Sequence, residues 1–86
     1  MAESLPEPKR NPAEYIQRRI ATYVGLHTAR LAVKTFSQKA LGVSPEAVLP
    51  SQAPTLVRAL RPLLRSMLGN DPAERLVETL IEEIAK

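Results

Sequence analysis

From Ala13 to Leu41 no proline interrupts the chain, and apolar residues recur at helical spacing throughout. Asn11-Pro12-Ala13-Glu14 supplies the start. Asn11 can cap, Pro12 suits the first helical position, and Glu14 falls three residues after the cap to complete a capping box. Gly42 is the stop signal. A straight helix over Pro12–Leu41 would be about 45 Å long. A folded chain of 86 residues has a radius of gyration of only about 12 Å. The segment therefore either bends, with Gly25 the candidate point, or projects beyond its own domain. Glycine inside a helix costs about 1 kcal/mol relative to alanine. Ala21, Ala29 and Ala32 make the surface around Gly25 small, so close helix packing is the expected reason for it.

The apolar residues of this segment do not form one stripe. Ile16, Ile20, Tyr23, Val24, His27 and Leu31 line up along one face. Leu26, Ala29, Val33, Phe36 and Ala40 line up along another, rotated by roughly a quarter turn or more. A surface helix needs one stripe. Two imply two packing partners at different heights.

The remaining chain reads as shorter helices. Ser44-Pro45-Glu46 opens a helical turn that Pro50 closes. A second helix starts near Ser51 or Gln52 and presents Leu56, Leu60, Leu63, Leu64 and Met67. Pro62 lies inside it and either kinks the helix or breaks it at Arg61. The kink is favoured because the stripe crosses Pro62 in phase. Gly69-Asn70 ends this helix. Asp71-Pro72-Ala73-Glu74 repeats the capping chemistry and opens a third, from Pro72 to about Ala85, with Ala73, Leu76, Val77, Leu80, Ile81 and Ile84 on its inner face. Sustained strand alternation is missing. The expected fold is all-α: a three-helix bundle plus one short helical turn, with a long first helix. It forms a single helical domain over residues 11–86 behind a disordered tail over 1–10.

Such a chain has little core to draw on. With one Phe, two Tyr and no Trp, the interior is built from Leu, Ile, Val and Ala. Cysteine is absent, which removes disulfides. His27 has no second histidine with which to share a metal. Self-association is the support that small scaffolds have left. A homodimer pairing the first helix with its mate would bury the extra stripe. The candidate interface is Ile16, Ile20, Tyr23, Val24, His27, Leu31, Val33 and Phe36. No apolar run approaches the roughly 20 residues that span a bilayer. The N-terminal residues lack a signal peptide's apolar segment, so a cytoplasmic location is expected. The ending at Ile84-Ala85-Lys86 suits either a complete protein or a fragment.

Charge offers a second reading. Arg58, Arg61 and Arg65 align opposite the leucine stripe and could contact phosphates or carboxylates. An ordinary solvated face gives the same pattern. A pI of about 9.7 makes a small nucleic-acid-binding protein the alternative function. Against it, residues 51–86 carry five positive and five negative charges. Glu74, Glu78 and Glu82 form an acidic ridge on the third helix, either solvated or faced by cations. His27 is expected to be a hydrogen-bonded core or interface histidine, since no nucleophile or orienting carboxylate stands a turn away. Catalytic residues, cofactor motifs and metal sites are not expected: the three glycines are unclustered, which excludes a phosphate-cradling loop.

The stretch from Ile20 to Glu82 resembles a small helical domain appended to bacterial signalling proteins such as kinases, cyclases and response regulators. Tyr23-Val24-Gly25, Ala29-Arg30-Leu31-Ala32-Val33-Lys34 and Leu41-Gly42-Val43-Ser44-Pro45-Glu46 carry the likeness, with Leu63-Leu64 and Met67-Leu68-Gly69 adding to it. The resemblance implies a non-catalytic regulatory or docking module that works through another protein. It transfers no catalytic residues.

Overall fold

Gly25 divides the long apolar segment into two helices. The computed structural model of the chain describes residues 11–85, so the tail expected over 1–10 lies outside the described residues. In it, α1 spans Pro12–Val24 and α2 spans Leu26–Phe36. Gly25 stands between them at φ 91°, ψ 152°, a conformation that L side chains rarely adopt. Its N–H closes α1 on the Ala21 carbonyl at 2.8 Å, and its carbonyl accepts the Ala29 N–H at 2.9 Å to open α2. One residue thus ends one helix and starts the next. The expectation of close packing at Gly25 is corrected. A Cβ built there meets nothing within 4 Å, so the glycine is present for its backbone angle.

The break accounts for the two stripes. A single straight helix would aim them in different directions. Turning the chain at Gly25 packs α2 against α1 and brings part of each stripe to one interior, while Tyr23, Leu26, His27, Leu31 and Ala40 stay exposed. Ile16 and Ile20 of α1, with Ala29 and Val33 of α2, are fully buried. Ile16, Ile20 and Val33 are therefore core residues and not interface residues, contrary to the sequence-based expectation. The chain's longest dimension is 34 Å, which a straight 45 Å rod would exceed.

Past Phe36 the helix widens into a π-turn over Ser37–Leu41 and stops at Gly42, a left-handed C-cap at φ 70°, ψ 22°. Two 3₁₀ turns follow, Pro45–Ala47 as expected and Pro50–Gln52 in addition. Val48 lies between them and is buried, so the connection is anchored to the core. Helix α3 spans Ala53–Leu68 and runs through Pro62 as a single helix, so the alternative of a break at Arg61 is discarded. Leu56, Leu60 and Leu64 are fully buried and Leu63 packs at the edge. Met67 is 46% exposed and leaves the expected inner face.

Helix α4 spans Asn70–Ala85 and begins before Pro72, because Gly69 repeats the device of Gly25. At φ 91°, ψ 168° it donates to the Arg65 carbonyl and accepts from the Ala73 N–H, at 2.9 and 3.2 Å. Asp71 is inside the first turn and not the cap. Ala73, Leu76, Val77, Leu80 and Ile84 supply the buried face, as expected. Among the described residues there is no strand, and the bundle has four α-helices where three were expected. The helices form two tightly packed pairs, α1 with α2 and α3 with α4, each pair joined by one glycine.

Because nothing crowds either glycine, the cost of replacing it is conformational. Gly25→Ala and Gly69→Ala are each expected to destabilise the chain by about 1–3 kcal/mol. Urea unfolding followed by circular dichroism measures this. A cost below that of Gly42→Ala would contradict the joint's role.

Candidate docking groove

The helix pairs are tight within themselves and looser between α2 and α3. The gap leaves an open groove with a volume of about 230 Å³. Its floor is Ala32, Phe36 and Leu63, and Thr28, Leu31 and Thr35 form the α2 side. The local chain dictates this arrangement. On α2, residues 28, 31, 32, 35 and 36 share one face by their spacing of three and four. Ala29 and Val33 occupy the neighbouring face that meets the core. Leu31 is 56% exposed at the groove. A second depression shares Leu31 and Thr35 and extends to Lys34, Gln38 and Lys39.

Of the other expected interface residues, Val24 and Phe36 are partly buried against the core. Tyr23 is 54% exposed but belongs to a separate cleft between α1 and α4, with Arg19, Asp71 and Arg75. His27 is exposed, so of its two expected readings, core or interface, the core one is corrected. The structure therefore brings Leu31 and Phe36 together at the groove and places the remaining six elsewhere. Leu63, Thr28 and Thr35 were missed. Leu63 was assigned to the helix's inner face, and threonines give no apolar signal.

Two of the three arginines of the α3 ridge have a partner within the chain, while Arg58 is exposed and enters none of the ion pairs among the described residues. Arg61 donates through Nε to Glu74 Oε2 at 2.7 Å and through Nη2 to Oε1. Arg65 donates twice to Oε2, at 3.0 and 2.6 Å. The two guanidinium groups hold the Glu74 carboxyl down at about pKa 2, with the Arg61 hydrogen bonds the leading cause. Glu74 is thus faced by cations of its own chain, and its capping-box role gives way to this contact. Arg61 and Arg65 are correspondingly drawn away from any external phosphate.

A second polar contact ties the ends of the fold. The Tyr15 hydroxyl donates to Glu83 Oε1 at 2.6 Å. Arg19 donates to both Glu83 oxygens at 3.0 Å each. Burial first, then the Glu83 hydrogen bond and charge, push the Tyr15 phenol up to about 12. Sequence spacing shows that Tyr15 and Arg19 share a face of α1, but nothing local identifies Glu83 as their common acceptor. Among the described residues, no group of His, Cys, Asp or Glu is placed to hold a metal ion. Among the described residues, no helix is long and apolar enough to cross a membrane.

No protein-family model matches the chain, and no curated protein or solved structure matches it either.

The two contacts give opposite pH responses. Glu74 has a lowered folded-state pKa, so its contribution is complete above the ordinary carboxylate range and fades as pH falls towards about 2. Tyr15 has a raised one, so its contribution is complete below the ordinary phenol value of 10.0 and fades as pH rises towards about 12. Thermal melts across pH should show Glu74→Gln flattening the acid limb and Tyr15→Phe flattening the alkaline limb. At neutral pH Tyr15→Phe should cost about 1 kcal/mol.

Proposed function

We propose that this chain is a non-catalytic protein-interaction module that docks a partner in the groove between α2 and α3. The observation that carries the reading is Leu31, 56% exposed above an apolar floor. Tyr23, Leu26 and Met67 are also exposed on the helices, but of these side chains Leu31 is the one that lines the groove with Phe36 and Leu63. A leucine held over phenylalanine and leucine on rigid helices is a ready anchor site for an apolar side chain from another polypeptide. The resemblance of Ile20–Glu82 to domains appended to bacterial signalling proteins supports the same reading. The polar clusters do not compete with it. Glu74 is engaged by Arg61 and Arg65, and Glu83 by Arg19 and Tyr15, all of the same chain.

Self-association was expected through a larger surface than this. With Ile16, Ile20 and Val33 inside, a second copy of the chain becomes one candidate occupant of the groove. Nucleic acid is a weaker one, because phosphate contacts would leave the apolar floor uncovered.

A panel of short helical peptides tests the reading. Each carries leucines at i, i+3, i+4 and i+7, with glutamine, glutamate or lysine at the outer positions. At least one member should bind, and Leu31→Asp should remove that binding. The same substitution should change folding stability by no more than about 0.5 kcal/mol, because the side chain is outside the core. Fluorescence anisotropy and urea unfolding make the two measurements. A panel of which no member binds would sink the docking reading.

A further inference from the structure

Charge along the chain is divided, and the groove lies in its positive part. Between Tyr15 and Pro45 there is no acidic residue, while Arg18, Arg19, Arg30, Lys34 and Lys39 all fall there. Arg18 is paired with Glu14, and Arg19 with Glu83. Arg30, Lys34 and Lys39 enter none of the ion pairs among the described residues. Lys34 and Lys39 line the depression that continues the groove through Leu31 and Thr35. On α3 the groove is lined by Leu63, and Ala59, Ser66 and Met67, three or four residues from it on the helix, carry no charge.

We propose that the occupant of the groove is an acidic amphipathic helix of another protein, seated as a fifth helix between α2 and α3 with its carboxylates toward Lys34 and Lys39. This rests on the docking reading above and adds the partner's chemistry. A cleft between two helices accepts a helix by ridge-and-groove packing. From Thr28 to Lys39 the α2 side offers on the order of 16 Å, about three turns of helix. The occupant's apolar side would cover Leu31, Phe36 and Leu63. Its flank toward α2 would face cations, so carboxylates there gain and ammonium groups lose.

A second copy of this chain fits that chemistry poorly. Pairing this face with itself across a two-fold axis would bring Lys34 and Lys39 towards their own copies. The acidic helix available within the chain, α4, exposes Asn70, Asp71, Pro72, Arg75, Glu78 and Glu82 and keeps its larger apolar residues on the core side. It has no apolar anchor to place over the floor.

The peptide panel separates this inference from the reading beneath it. The glutamate peptide should bind at least ~10-fold more tightly than the glutamine peptide, and the lysine peptide most weakly. That order should compress when NaCl is raised from ~0.05 to ~0.5 M. The double variant Lys34→Glu/Lys39→Glu should reverse it, while thermal melting confirms that the variant is folded. If the glutamine peptide binds as well as the glutamate peptide, or if the double variant keeps the glutamate preference, the acidic-helix inference fails and the docking reading stands. If sedimentation at micromolar concentration shows a dimer that Leu31→Asp dissociates, the occupant is a second copy and the inference fails likewise.

Discussion

The backbone angle at Gly25 is the constraint from which the architecture follows. Thirteen residues of α1 and eleven of α2 would, as one rod, present two apolar faces that no single small core could cover. A positive φ that costs glycine little turns the second half back on the first. Ile16, Ile20, Ala29 and Val33 then become interior, and Tyr23, Leu26 and Leu31 are left outside. Gly69 applies the same solution between α3 and α4, and the four helices close around Ile16, Ile20, Val33, Leu56, Leu60, Leu64 and Leu80.

Polar contacts fix how the helices sit once they are brought together. Glu74 clasps α4 to α3 through Arg61 and Arg65, and Glu83 clasps α4 to α1 through Tyr15 and Arg19. Both carboxylates are partly exposed, so these pairs orient more than they stabilise. Among the described residues no comparable ion pair joins α2 to α3. That seam is also where the open groove lies.

Helix type and inner faces were legible in the sequence because they depend on periodicity. Leu56, Leu60 and Leu64 on α3, and Ala73, Leu76, Val77 and Leu80 on α4, fall where a 3.6-residue repeat puts them. The number of helices was not legible. A mid-helix glycine can mark close packing, a bend or a full break, and local spacing does not choose among them. The quarter-turn offset between the two stripes of the first segment was the available signal. It marks a rotation between two helices that share one core. The groove was half legible for a related reason. Leu31 and Phe36 were singled out as apolar residues in excess, but which of the eight would end up inside depended on the turn at Gly25. The partners Glu83 and Glu74 are set by tertiary placement, which sequence spacing does not encode.

The clasp between Tyr15 and Glu83 lays the first helix beside the last. The four helices therefore form a closed circuit in space, and the point at which the chain is opened is incidental to which helix neighbours which. Two of its three links are single glycines with no spare residue. Lengthening either by one position would swing the following helix about 100° around its axis and turn its greasy side outward. The stretch over residues 42–52 is held to the core at Val48, and new sequence, or a relocated pair of chain ends, is best tolerated at its exposed positions, such as Ser44, Glu46 and Ala47.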